Sequence, residues 1–363
     1  MSRAGRRLFL RSSALASLAA GGAAPGRGAG ADPDLPPPRA VSLPGLVDLQ
    51  VNGFAGVDFG DPRLTAAAVA RAVEAIGKTG VTRFLPTLVS SPLEVFTACA
   101  RTLLSGGHAA IAGLHMEGPY ISPEDGFRGA HARAFVRDAE IDDFRRRQDA
   151  AEGRIRLLTL APEVPGALPL VERAVADGVR VAIGHTAATG VQLADAVRAG
   201  ATLSTHLGNG CPALLPRHPN VIWEQLGEDR LLASFIVDGH HLPPATVRAM
   251  VRAKTPQRTL LVTDAMAAAG MPPGRYTLGG QEVEKDASGR VAAPGATNLA
   301  GSALSLDVAI GNAVRYTGLE LQEVVAMASA RPAAYLGIAP AGTLSAEWDA
   351  EAFRLRVLRV DAP

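Results

Sequence analysis

Five acid and imidazole side chains stand where short apolar runs give way to loops: Glu117, His185, His206, Asp238 and Asp264. A carboxylate and two imidazoles drawn from three such runs make the ligand set of a catalytic zinc-type centre, which keeps one position open for water. Each histidine alone is more commonly a hydrogen-bonded core residue. Three ligand-type residues at equivalent positions point instead to one shared metal site. His115 lies two residues before Glu117 and so on the same face of a strand, as a further ligand or as a partner one step deeper. Asp264, in "LLVTDAMAAAG", is the candidate general acid/base, able to take a proton from water and hand it to a leaving nitrogen. The competing reading is that Asp264 caps a helix, because Ala-rich sequence follows it directly.

These residues make a site only if something brings the run ends together. The apolar runs fall at 45–51, 82–89, 111–117, 155–162, 180–186, 201–207, 231–238 and 258–264. Helix-period segments such as "LTAAAVARAVEAIGKTG", "ALPLVERAVADG", "GVQLADAVRAG" and "PPATVRAMVRAK" fill the gaps, and several close on Gly. Near-continuous apolar strands alternating with helices predict a parallel sheet covered on both faces. Eight such units close most simply into a (β/α)8 barrel of the TIM type, whose strand C-termini share one mouth. An open doubly wound sheet is the rival, but the first strand-to-helix turn, "NGFAGVDFGD", has no dinucleotide fingerprint.

Bulk properties narrow the function. Of the 363 residues 47% are hydrophobic and 20% charged, which fits a globular chain with a sizeable core. Aromatics at 4% and a net charge of +1 argue against a nucleic-acid partner. Cys99 and Cys211 are too few for a disulfide framework or a thiolate zinc site. Residues 1–31 carry five arginines and no acid, and Arg6-Arg7-Leu8-Phe9-Leu10-Arg11 followed by an Ala/Leu/Ser run and Ala29-Gly30-Ala31 has the layout of a twin-arginine-like export signal. That layout predicts a periplasmic protein without a permanent membrane anchor, the alternative being an Ala/Gly/Pro tail on a cytoplasmic one. "PDLPPPRA" reads as a linker, so the expected organisation is signal and linker over 1–40, a barrel over 41–340 and a C-terminal extension over 341–363.

Polar groups also cluster in the loops beside the run ends: His131, Asn209, Arg217, His240 and His241. Arg217, in the proline-held loop "CPALLPRHPN", and His241 could clamp an anionic group such as phosphate. His108 and His218 read as surface residues.

Taken together, "PGLVDLQVNGFAGVDF", "GLHMEGPYISPEDGFRGAH", "IGHTAAT", "THLGNGCPAL", "DGHHLP", "LLVTDAMAAAG" and "LAGSALSLDVAI" resemble the N-acetylglucosamine-6-phosphate deacetylases of the amidohydrolase superfamily, in that family's order from about residue 44 to 337. The resemblance implies that Glu117, His185 and His206 bind one divalent metal, zinc first and iron, cobalt or manganese next, and that Asp264 is the catalytic acid/base. It implies that His131, Asn209 with the Gly210 backbone, Arg217 and His241 hold the sugar phosphate. Arg217-like and His241-like residues can serve a neighbouring subunit's site, so a homodimer is implied as well. Some members carry His-x-His at the end of strand one and two metals; Gln50 and Asn52 place this chain with the one-metal kind. Members usually begin with strands of a small β-sandwich, and here that accessory domain is expected to be reduced or absent. The loop after His206 departs from the family in Gly208 and in Gly210-Cys211, where a bulky aromatic and Ala-Met are common.

The expected activity is metal-dependent hydrolysis of the N-acetyl amide of an amino sugar, N-acetylglucosamine 6-phosphate first. The alternatives are an amidohydrolase acting on an unphosphorylated or differently acylated amino sugar or a cyclic amide, and a non-catalytic sugar-binding barrel.

Overall fold

The computed structural model describes residues 38–296 and 298–361. The expected export signal lies outside the described residues. No helix among the described residues is long and apolar enough to cross a membrane.

Eight strands occur where the apolar runs predict them: β1 Leu46–Val51, β2 Val81–Leu88, β3 Leu114–Glu117, β4 Ile155–Leu160, β5 Arg180–Ile183, β6 Leu203–Ser204, β7 Leu232–Ile236 and β8 Thr259–Val262. They form one parallel ladder in sequence order. The ring closes between β1 and β8. There the Asp264 N–H donates to the Gln50 carbonyl at 3.0 Å, and Val51 bridges Ala265 in parallel. Asp48 adds a side-chain clasp, accepting from the Thr263 hydroxyl at 2.6 Å and the Thr263 N–H at 3.3 Å.

A helix follows each strand: α1 Ala66–Gly77, α2 Leu93–Ser105, α3 Ile141–Ala150, α4 Ala167–Ala176, α5 Gly190–Ala199, α6 Val221–Gly227, α7 Pro244–Lys254 and α8 Leu306–Thr317. Local signals set their ends. Thr65 caps α1 by accepting from the Ala68 N–H, and Thr189 with Gln192 forms a capping box on α5. Gly200 ends α5 with φ +113°, a conformation that glycine adopts without a Cβ clash. Because helices cover the strands, β1 is buried at all six positions, Asp48 and Gln50 included.

Three features differ from the sequence expectation. The linker reading gives way at Arg39, where a strand runs to Pro44 and pairs with Thr343–Asp349, itself paired with Arg354–Asp361. This three-stranded antiparallel sheet buries Leu43, Leu344, Ala346, Trp348 and Leu355, with Leu344 and Val357 seated against Gly80 just before β2. Among the described residues the accessory β structure comprises these three strands. Second, no helix follows Asp264. Residues 265–273 turn through loops into a small sheet of Gly274–Leu278, Gln281–Lys285 and Val291–Ala292, so α8 begins only at Leu306. The Ala-rich stretch is spent on burial instead: Met266, Ala267 and Ala268 pack with Leu278, Val283, Val291 and Ala300 in a second apolar cluster. Third, the runs overestimate strand length at the mouth, because the regular strands end two residues before each polar residue at 185, 206 and 264.

Candidate active site

Glu117 ends β3, while His185, His206 and Asp264 each lie two residues beyond the ends of β5, β6 and β8. Those last three all have left-handed backbone, with φ of +51°, +31° and +50°. Such conformations cost an ordinary L-residue about 1–2 kcal/mol and persist only where the surroundings enforce them. Here the turn out of the ladder swings each side chain over the barrel mouth.

The nitrogen and oxygen donors of Glu117, His185 and His206 all lie within 4.8 Å of one another. His206 Nε2 is 2.9 Å and His185 Nε2 3.3 Å from the same oxygen, Glu117 Oε1. His185 Nδ1 stands 3.0 Å from the Phe127 carbonyl. A carbonyl only accepts, so Nδ1 donates to it, and Nε2 is left facing the carboxylate, as a donor in the charged ring and as a lone pair in the neutral one. In the neutral ring two acceptors face one another in a buried setting, an arrangement that a cation held between them satisfies. Two imidazole nitrogens and one carboxylate oxygen are the donors a catalytic zinc-type ion takes, so the three side chains fit a divalent metal. Glycine makes the room: a Cβ at Gly129 or Gly210 would come within 2.8 Å of the His185 ring.

The strand-one amides are committed to the two carboxylates. Gln50 Nε2 donates to Glu117 Oε1 at 2.9 Å, and Asn52 Nδ2 donates to Asp264 Oδ1 at 2.6 Å. Burial pushes the Asp264 carboxyl up to about 6, with the negative charge of Glu117 adding to the rise; His206, His241 and the Asn52 amide oppose it. Burial would also raise Glu117, but hydrogen bonds and charge from His185 and His206 outweigh it and hold that carboxyl well below the usual range. The mouth thus contains one carboxylate held ionised among imidazoles and one poised near neutrality, the separation that acid/base chemistry uses.

His115 is not among the donors. Its ring nitrogens are taken by the hydroxyls of Thr87 at 3.3 Å and Thr159 at 2.8 Å, and burial pushes its pKa down to about 4. It is the deeper partner rather than a ligand. His131 is buried too, and desolvation, then the nearby His185 charge, lower it to about 3. Ser90 N–H donates to His131 Nδ1 at 3.3 Å, so the neutral ring carries its proton on Nε2, 3.7 Å from Glu117 Oε2.

These groups share one cavity of about 440 Å³, with Asn52, Glu117, His131, His185, His206, Asn209, Gly210, His241 and Asp264 in its wall. The model for the amidohydrolase family matches residues 41–355. The chain belongs to the amidohydrolase family. Within it, the human N-acetylglucosamine-6-phosphate deacetylase is 40% identical over 331 residues, covering 86% of this chain and 78% of that protein. The N-acetylgalactosamine-6-phosphate deacetylase of Escherichia coli O157:H7 is 37% identical over 303 residues, covering 81% and 78%. Among solved structures, the N-acetyl-D-glucosamine-6-phosphate deacetylase of Mycobacterium smegmatis superposes with a TM-score of 0.80 at 33% identity, covering 92% of this chain and 90% of that one. An aspartate-to-alanine mutant of that protein, in complex with N-acetyl-D-glucosamine-6-phosphate, matches equally.

Not every sequence candidate reaches the cavity of this amidohydrolase. Arg217 is exposed and absent from the wall, and His240 turns away to the Ser288 carbonyl at 3.1 Å. Asp238, grouped with the site by position, serves His241: Oδ2 accepts from His241 Nδ1 at 2.7 Å and Oδ1 caps the N–H groups of His240 and His241. Conversely, Asp125, Leu278, Gln281, Asn298 and Leu299 line the cavity unexpectedly. Most of these come from the insertion between β8 and α8, whose short strands carry no barrel periodicity; the "LAGS" stretch at Leu299 was the one available signal.

Proposed function

We propose that this amidohydrolase removes the acetyl group from N-acetylglucosamine 6-phosphate, using one divalent metal, zinc first, per chain. What carries the reading is the meeting of Glu117, His185 and His206 with Asp264 in one cavity, in a chain similar throughout to deacetylases of acetylated amino-sugar phosphates.

Glu117, His185 and His206 would hold a divalent ion, which would supply a Lewis acid for the acetyl carbonyl and for water. Asp264, ionised above its raised pKa, takes the proton of the water that adds to the acetyl carbon, and returns it to the nitrogen as the C–N bond breaks. The second proton of the water passes from the acid formed to the amine, so acetate and the ammonium form of the sugar leave and Asp264 ends ionised. Asn52 leaves one carboxylate oxygen of Asp264 free for this transfer, and Gln50 stands against Glu117 where strand-one histidines would hold a second ion. His131, neutral with Nε2–H directed into the cavity, donates to the bound sugar.

His241 and Arg217 meet the phosphate, Arg217 reaching the site of a second copy. Support for the homodimer is that Arg217 is exposed off its own cavity, in a loop where Leu214 is 89% exposed, ahead of a helix whose Trp223 is 56% exposed. N-acetylgalactosamine 6-phosphate is the second reading, because one of the similar deacetylases bears that substrate's name. The test is acetate release from both sugars with and without the 6-phosphate. Fast release only from N-acetylglucosamine 6-phosphate is expected, with Arg217→Ala raising KM for that sugar and leaving the unphosphorylated one unchanged. Equal turnover with and without phosphate would refute the phosphate assignment.

A further inference from the structure

Glu163 lies in the loop after β4, outside the cavity wall, and takes no part in the chemistry above. Both of its carboxylate oxygens are nevertheless committed to the neighbouring turn. Oε2 accepts from the Thr186 hydroxyl at 2.5 Å and Oε1 from the Ala187 N–H at 2.6 Å. These are the two residues directly after His185. Thr186 is itself buried, and its hydroxyl oxygen accepts from the Ala188 N–H at 3.0 Å, so the clamp extends through one more residue. On the other side, the Ser122 N–H donates to the His185 carbonyl at 2.9 Å.

His185 needs such holding. Its φ of +51° is a conformation an unconstrained chain leaves, and Gly129 and Gly210 pass so close to the ring that a small rotation of the turn would misplace Nε2. The Phe127 carbonyl fixes the ring's tautomer but not the backbone that carries it. From this we infer that Glu163 is a positioning residue for the metal site: a two-pronged clamp from the β4 loop that locks the His185 turn in its left-handed form, so that Nε2 converges with Glu117 and His206. The inference rests on reading those three residues as metal ligands. Outer partners that orient ligands change metal affinity by about 10- to 100-fold when removed.

The experiment measures the zinc dissociation constant of the full chain by competition with a chromophoric chelator, together with the melting temperature of the metal-free protein. Glu163→Ala should weaken zinc binding by about 10- to 100-fold with the metal-free melting temperature little changed. Glu163→Gln, which keeps an acceptor for the amide and a donor for the Thr186 hydroxyl, should bind close to the unaltered chain; Thr186→Val, losing one prong, should fall between. Unaltered affinity in Glu163→Ala overturns the inference. So does an equal loss in Glu163→Gln, or a collapse of the metal-free melting temperature. Failure of the underlying metal reading looks different: the unaltered chain would then bind no better than Glu117→Gln.

Discussion

Asp264 shows how much of the chemistry is decided by one side chain's surroundings. Burial and the charge of Glu117 lift its carboxyl to about 6, so the protonated form persists to a higher pH than an exposed aspartate allows. On the proposed mechanism the ionised form takes the water proton, so kcat/KM should fall as pH drops through this region, and a cation held by Glu117, His185 and His206 would move that limb lower. Asn52→Ala removes a donor that favours the ionised carboxylate, so its acid limb should shift upwards relative to the unaltered enzyme. A pH–rate profile in which the limb stays put or moves down would contradict the role given to Asn52. Asp264→Asn keeps the shape but cannot exchange the proton, and should lower kcat by about 10²- to 10⁴-fold with metal content unchanged. Full turnover in that variant, measured by acetate release, would remove Asp264 from the mechanism.

At the scale of elements, the site depends on turns and on the closing seam as much as on strands. Gly129→Ala adds a Cβ 2.8 Å from His185 Cε1 at a residue with φ +58°. It should reduce metal content and lower stability by roughly 1–2 kcal/mol, the cost of left-handed backbone for an L-residue. Denaturant midpoints with metal analysis check both. Asp48, the clasp between β1 and β8, is pushed up to about 7 by burial, against hydrogen bonds from Thr263 and Gln50. With the folded pKa above the unfolded one, the native state holds the extra proton between about pH 4 and 7, so this group's contribution to stability declines as pH rises through that window. Asp48→Asn should flatten the decline; an unchanged pH dependence of the unfolding midpoint would refute it. The eight strands and most helices were legible because each barrel strand is buried on both faces and reads as an apolar run, and because caps such as Thr189 act locally. Glu117, His185, His206 and Asp264 were legible from their place at run ends. The insertion over 274–292 was not, since its strands are only five residues or fewer and the two longer ones are half exposed, and the Arg39–Pro44 strand was hidden because it pairs with residues some 300 positions away. The left-handed turns that aim His185, His206 and Asp264 leave no sequence mark in residues other than glycine. Glu163 went unnoticed for a related reason, as its partners are a hydroxyl and a backbone N–H.

For the molecule as a whole, the barrel fixes what loops may vary. Strand ends bring the metal-fitting triad and Asp264 to one mouth, while the insertion and the loop around Arg217 build the walls that would read the sugar and its phosphate. If that loop is a dimer surface, Leu214→Glu should shift the sedimentation coefficient towards a monomer and raise KM for the phosphorylated sugar; a monomer in the unaltered chain would contradict it. The proposed chemistry needs one metal ion working with Asp264. The most direct measurement strips the protein with a chelator and titrates zinc back while following acetate release from N-acetylglucosamine 6-phosphate. Activity should climb in proportion to zinc and level off at one ion per chain, with Glu117→Gln giving neither binding nor acetate. Full acetate release without metal, or a plateau only at two ions per chain, would contradict the account.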